Sequence, residues 1–370
     1  MKVVVIGGGI IGMLTALELV KAGIAVRVLD KSHPGTEASW AGGGIVSPLY
    51  PWRYPPAVSA LAVMAQELYP ALAAELTGYS GIDPELTVCG MLMLGADDAR
   101  DAMVWSRKYG RRIHLLQGHA LAAMGDGLAQ FNDGIWLPDV ANIRNPRLLQ
   151  SLRRTLEIRG VAVDGGREVV SWERVGNRMR AVRLAGGETI EADQFVLAAG
   201  AWSAGLSSTL AGPMPVRPVK GQMLLFHAPD AGLRHILLHQ GHYVIPRRDG
   251  HILCGSTLEE TGFDKSITAE AAVDLHAVAA KLVPSLGAMP PVAHWAGLRP
   301  GSPNGIPFIG RHPEAHNLWV NTGHYRNGLV LAPASVQLLG DLMLGRKPVL
   351  DASPYAMLDM RAEDQASSSS

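Results

Sequence analysis

The sequence predicts an α/β chain, with one domain on a mixed sheet and a second, α+β domain on an antiparallel sheet. Three features carry that expectation. The chain opens on a strand, a glycine turn, a helix and a second strand. Helix–strand and strand–helix units return around residues 145–163 and 318–344. Between these returns lies a stretch that reads as hairpins.

The opening unit sets the rest. Lys2-Val3-Val4-Val5-Ile6 is a β-branched run that opens into Gly7-Gly8-Gly9-Ile10-Ile11-Gly12; an apolar-periodic pattern then runs to Ala22-Gly23, and Ile24–Leu29 ends on Asp30. Gly7 allows the tight turn, Gly9 lets a pyrophosphate approach the backbone, and Gly12 lets helix and strand pack closely. The helix N-terminus offers free N–H groups to that pyrophosphate. Asp30 stands where an acid accepts a hydrogen bond from the adenosine ribose. A lone G-x-G-x-x-G is weak among 42 glycines. With a strand before it, a helix after it and the acid at this distance, it marks a Rossmann-like dinucleotide site, open to FAD or NAD.

Further along, Lys31–Gly35 reads as a loop, and Ala38-Ser39 starts a short helix whose N–H groups face a second set of phosphate oxygens. Gly42, Gly43 and Gly44 allow a flat ligand to lie against backbone. The proline- and aromatic-rich run 48–56 is read as the exit from the first domain. A helix is expected over 57–76, strands over 88–94 and 135–137, and a helical stretch over 96–107. At Asn145-Pro146 a helix begins with Asn as N-cap and Pro at its first position. Leu148, Leu149, Leu152 and Leu156 form its buried stripe, Gly160 ends it, and Val161–Val163 returns to the first sheet. A small meander spans 169–192, and Gln194–Trp202 is an apolar strand running into Ala-Ala-Gly, its end near the nucleotide crevice. From 213 on the pattern changes to strands at 222–227, 242–247 and 251–256, the last two joined by Arg248-Asp249-Gly250, a hairpin signal. A helix over 268–282 follows. The strand from Leu318 and the helix from Gly328 to Leu344 carry the chain back to the first sheet. The first domain therefore takes 1–50, 141–215 and 296–370, and the second takes 51–140 and 216–295.

Composition excludes several partners. Lys+Arg and Asp+Glu are both 33, so the net charge is zero and nothing favours nucleic acid. No uncharged run reaches the roughly 18 apolar residues that cross a bilayer, and a cytoplasmic protein is expected. Cys89 and Cys254 have no Cys or His neighbour at metal-ligand spacing, so neither a disulfide framework nor a metal site is expected. The polar tail 361–370 is expected to be disordered.

Together, Gly7–Gly12, Glu37–Gly44, Trp295–Gly301 and Gly323–Pro333 resemble the FAD-dependent amino-acid oxidases of the D-amino acid oxidase group nearly end to end. The resemblance implies a non-covalent FAD, since no Cys lies near the C-terminal motif. It assigns cofactor contacts to Ile10, Ile11, Asp30, Lys31, the Gly42–Gly44 loop, Val169 and the segment His324, Tyr325, Arg326, Asn327, Gly328, Leu329 and Val330. Tyr243, Arg299 and Arg326 match the residues that hold substrate. It also implies a small amino acid or amine as substrate, glycine foremost, oxidised to its imine with O2 becoming H2O2. Sarcosine and small D-amino acids are the alternatives. In relatives the imine feeds thiazole synthesis for thiamine, and relatives are often homo-oligomers, tetramers among them.

The chemistry fits these residue types. Hydride leaves Cα for the flavin, so the protein must fix the substrate carboxylate and aim Cα. A planar guanidinium does this best, through parallel charge-assisted hydrogen bonds, and Arg299 is the candidate with the Tyr243 hydroxyl beside it. Arg326 offers its backbone carbonyl to the amine. No acid–base residue is required for a neutral amine, and His324 is read as structural.

Overall fold

The computed structural model describes residues 1–208, 210 and 214–357. The tail expected to be disordered lies outside the described residues, as does the expected change of character at 213.

The first sheet is six-stranded, in the order Phe308–Arg311, Leu318–Thr322, Gln194–Leu197, Lys2–Ile6, Ala25–Leu29, Ala162–Asp164. All neighbours are parallel except Phe308–Arg311, which runs antiparallel to Leu318–Thr322 and makes the sheet mixed. Lys2–Ile6 is central, and its unbroken β-branched run suits a strand covered on both faces. Val3 and Val5 join a core under the helices Ile10–Lys21, Pro56–Ser80, Asn145–Ile158 and Gly328–Leu344. Val4 and Ile6, on the opposite face, join a core under the meander of Val169–Val175, Arg178–Leu184 and Thr189–Glu191.

The helix over 145–158 departs from expectation at its start. Arg144 is the N-cap, and the Asn145 side chain donates from Nδ2 to the Ser39 carbonyl at 2.7 Å. A tertiary partner thus takes the amide that local pattern assigns to the helix end.

The second sheet has eight strands, in the order Ala293–Gly301, Arg217–His227, His251–Gly255, His242–Pro246, Ile236–His239, Met91–Leu94, Asp133–Leu137, His114–Gln117. It is antiparallel but for one pair, Ile236–His239 against Met91–Leu94. The hairpin across Arg248-Asp249-Gly250 forms as read. The short strands Ile236–His239 and His114–Gln117 carry no clear alternation, and Ala293–Gly301 holds glycines and a proline. None of the three announces itself locally. Val244 and Cys254 face the helix Ala269–Leu282, whose N-cap Thr268 accepts from the Ala271 N–H at 3.3 Å. Tyr243 and Ile245 alternate to the other face.

Two helices, Pro56–Ser80 and Tyr325–Leu344, are long and apolar enough by length and composition to cross a membrane. Both turn apolar residues into the core over the first sheet, Leu61, Ala65, Tyr69 and Leu76 from one and Val330 to Leu339 from the other. Core packing accounts for their composition. Both cysteines are free; Cys254 is buried, which pushes its thiol up to about 12.

Candidate active site

The two sheets meet at one cavity of about 460 Å³. Its first wall comes from the opening unit: Gly7, Gly9, Ile10, Ile11, Asp30 and Lys31 all line it. Gly7 has φ +107°, and a Cβ there would sit 2.3 Å from the Ala198 carbonyl oxygen, so backbone alone fits the turn. Gly12 does not line the cavity. A Cβ on it would lie 1.9 Å from the Gly7 carbonyl oxygen, which is the helix–strand packing expected of it.

Asp30 closes this end through both oxygens, accepting from the Gly8 N–H at 2.7 Å and the Ser32 N–H at 2.8 Å. The Ile10 N–H, at the helix start, donates to Ser39 Oγ at 2.9 Å. Ala38, Ser39, Gly42, Gly43 and Gly44 form the next wall, with Val169 and Val170 beyond. Lys31 lays its ammonium 3.5 Å from the Trp202 ring centroid. Burial lowers its pKa, and the nearby Glu37 opposes that shift.

Asn145 fits this cavity to a polar ligand. Its Oδ1 is buried, has no hydrogen-bond partner, and belongs to a residue on the cavity wall. An unpaired buried carbonyl costs free energy until a donor reaches it. A glycine wall, with a buried and unbonded amide oxygen at Asn145 packed behind Gly44 and a helix N-terminus beside it, suits a large cofactor with polar edges and phosphates, as FAD is.

The segment from His324 to Val330 lines the opposite side and starts the helix Gly328–Leu344 there. His324 is buried, and burial drives its pKa down to about 3. Ser335 Oγ donates to Asn321 Oδ1 at 2.6 Å, so it accepts from His324 Nε2 at 2.8 Å. The ring is neutral with its proton on Nε2, in keeping with a structural role.

Tyr243 and Arg299 lie together on the cavity wall. Arg299 faces Val219 across the strand pair, and its guanidinium lies flat over Gly221, where a Cβ would be 2.2 Å from Nη1. Nη2 donates to Ser256 Oγ at 2.6 Å; Nη1 donates to the Lys220 and Thr257 carbonyls at 3.2 and 3.3 Å. No carboxylate among the described residues pairs with it. Burial lowers its pKa first, and Arg326 adds to the effect, while Tyr243 opposes it. Arg326 lines the cavity too, and its charge reaches Tyr54, Tyr50 and His242.

Sequence reading passed over Asn145 as a wall residue, and over Trp202, Gly221, Met223 and Ser256, all on the cavity. It also read the aromatic run 48–56 as a domain exit, yet Tyr54 and Tyr50 stand within reach of Arg326. The density of aromatics there was a usable signal. Ser256 and Met223 had none, because only sheet pairing brings them to Arg299.

A glycine-turn unit, a returning C-terminal helix and an anion-ready guanidinium over one cavity define a dinucleotide-dependent oxidoreductase. The FAD dependent oxidoreductase (DAO) family model matches residues 2–342, and the chain belongs to that family. It is 52% identical over 357 residues to a glycine oxidase of Pseudomonas aeruginosa, covering 96% of this chain and 98% of the relative. It is 48% identical over 360 residues to a glycine oxidase of Pseudomonas putida, with 96% and 98% covered. The crystal structure of glycine oxidase from Geobacillus kaustophilus superposes with a TM-score of 0.91 at 29% identity, covering 96% of this chain and 98% of that one. The chain is thus an FAD-dependent oxidoreductase.

Proposed function

We infer that the chain oxidises glycine and other small amines to the imine, with O2 reduced to H2O2. One observation carries the reading: Arg299, a guanidinium without a carboxylate partner, shares a cavity with a glycine wall shaped for a flat cofactor. Bound FAD supplies two-electron acceptance from Cα and return of those electrons to O2. The rest is positioning. Ser256 and two backbone carbonyls hold the guanidinium plane, and Tyr243 is hydrogen-bonded to it as well; the N–H groups that remain serve the substrate carboxylate. The Tyr243 hydroxyl is a further donor, and the Arg326 carbonyl accepts from the amine. Loss of hydride from the neutral amine leaves an iminium, which gives up an N–H proton to become the imine. Hydride and proton reappear in H2O2.

In the same reading Gly7, Gly9, Ile10, Ile11, Asp30, Lys31, Ala38, Ser39, Gly42–Gly44, Val169 and His324–Val330 hold the cofactor, with Gly12 acting through packing. Residues 1–50, 141–215 and 296–370 form the cofactor domain, and 51–140 with 216–295 the substrate domain. The imine product suits the thiazole branch of thiamine biosynthesis. A cytoplasmic homo-oligomer, a tetramer, completes the proposal and is checked by light scattering. The decisive experiment is anaerobic addition of glycine to the yellow protein. Bleaching of the flavin band, and peroxide on admitting air, are expected; sarcosine, D-alanine and D-proline run alongside rank the substrates. A colourless protein, or a band that no small amine bleaches, overturns the reading.

A further inference from the structure

Arg247 follows directly on the strand His242–Pro246 that carries Tyr243, and nothing in the reaction above uses it. Its guanidinium sits where the two sheets meet. Nη2 donates to the Gly43 carbonyl at 2.8 Å, and Nη1 donates to Asn142 Oδ1 at 2.9 Å and the Ile143 carbonyl at 3.0 Å. All of these acceptors are neutral. The acids nearby are engaged elsewhere: Asp249 with Arg144 at 2.7 Å and His251 at 3.0 Å, Glu85 with Arg144 at 3.3 Å and Arg147 at 3.1 Å. Among the described residues this cation makes no ion pair; burial, deepened by the nearby Arg144 and opposed at a distance by Glu85 and Asp249, lowers its pKa to about 10.

What it holds is the cavity wall. A Cβ on Gly43 would lie 2.9 Å from the Tyr243 ring, so that wall and the substrate tyrosine are in close apposition. The Ile143 N–H donates to the Gly44 carbonyl at 2.8 Å, which ties the Arg247 acceptors to the same loop. One planar fork thus fixes the Gly43–Gly44 wall, the Asn142–Ile143 segment and the Tyr243 strand in a single arrangement. A point charge such as lysine does not reproduce such a fork.

We propose that Arg247 is a positioning residue for the oxidation, setting the Gly43 wall against Tyr243 and placing an unpaired positive charge behind the cavity that favours electron uptake there. The inference rests on the reading that the cavity binds FAD and oxidises an amine. Its electrostatic half follows from burial: reduction adds negative charge to the cavity, and a preorganised, unpaired cation in a water-poor setting stabilises it.

The test uses FAD-loaded enzyme and the variants Arg247→Met, Arg247→Lys and Asn142→Ala. The readouts are the two-electron midpoint potential against reference dyes and, separately, kcat and KM for glycine. Arg247→Met is expected to shift the reduction equilibrium about tenfold toward the oxidised form, about 30 mV for a two-electron couple. Arg247→Lys keeps the charge and should restore the potential to within about threefold, with KM still raised because the fork is lost. Asn142→Ala loosens the clamp without touching charge, so KM should rise at unchanged potential. Should Arg247→Met fail to fold, Arg247→Gln takes its place as the variant without the charge, with the same shift expected. An unchanged potential in Arg247→Met, a lowered one in Asn142→Ala, or an unchanged KM in both Lys and Ala variants overturns the proposal. Wild-type protein that takes up no FAD would defeat the functional reading instead, since no potential exists to compare.

Discussion

The two ends of the cavity are built in opposite ways. The proposed cofactor end draws chiefly on one contiguous unit, Lys2 to Lys31, with the Ala38–Gly44 loop close behind and Val169 and the segment 324–330 joining it. The proposed substrate end is assembled from Gly43, Gly221, Met223, Tyr243, Ser256, Arg299 and Arg326, which line the cavity from strands and turns far apart in the chain. The first end is held by local turn geometry and backbone hydrogen bonds. The second is held by strand register, because the pairing of Val219 with Arg299 and of Tyr243 with Gly255 decides what meets what. Local geometry tolerates distant change and register does not. Damage at the first end should therefore appear as lost cofactor and stability, and damage at the second as lost turnover with cofactor retained.

Arg299→Ala should give the largest effect. Truncating one partner of a buried charge pair costs about 2–5 kcal/mol, on the order of thirty- to several-thousand-fold in kcat/KM for glycine. FAD affinity, read by quenching of flavin fluorescence, should stay near wild type; loss of FAD with turnover would erase the contrast between the ends. Next comes Gly7→Ala. With φ +107° and a Cβ 2.3 Å from the Ala198 carbonyl oxygen, backbone strain and crowding should together cost about 2–4 kcal/mol. A fall in both thermal midpoint and FAD affinity is expected; a protein as stable as wild type would mean that the turn is not where the first end gets its rigidity.

His324 lies between the two ends and gives a pH effect. Its folded-state pKa of about 3 is far below the unfolded value near 6.5, so unfolded chains bind a proton that folded chains refuse. This contribution to stability is intact above about pH 6.5 and falls by ~1.4 kcal/mol per pH unit below it, until the folded group also titrates. Between pH 7 and pH 5 the loss amounts to about 2 kcal/mol. Urea unfolding of His324→Gln at both pH values should show that much less acid sensitivity than wild type, and equal sensitivity would move the effect to other groups. Tyr243→Phe is the mildest change. Removing one hydroxyl donor to the substrate should cost about 0.5–1.5 kcal/mol, roughly three- to tenfold in kcat/KM. A larger loss would make the hydroxyl, rather than Arg299, the principal anchor.

This contrast also explains what could be read from the chain. The opening βαβ unit, the helix and strand at 145–164 and the closing strand and helix at 318–344 were all legible, because each carries its own periodicity and punctuation. In the eight-stranded sheet the hairpin and the strands Met91–Leu94, Asp133–Leu137 and Arg217–His227 were legible, whereas Ile236–His239, His114–Gln117 and Ala293–Gly301 were not. Ala293–Gly301 supplies Arg299 yet has the glycines and proline of a loop, and it becomes a strand by pairing along Arg217–His227. Asn145 had the mark of a helix cap and was taken by Ser39 instead. Tyr243, Arg299 and Arg326 were reached through resemblance to a family. Composition marks none of them out from the other tyrosines and arginines.

By itself the sequence determined a mixed-sheet dinucleotide domain, its glycine turn and the return of the C-terminal helix, because turns, caps and apolar periods are short-range and act within a few residues. Only the tertiary structure decided that Arg299 has no carboxylate partner among the described residues, that Arg247 grips Gly43, and that Asn145 on the cavity wall keeps a buried, unbonded oxygen. Those properties depend on which groups are not nearby, and the free energy of a buried charge or amide is set by every neighbour that folding brings or withholds.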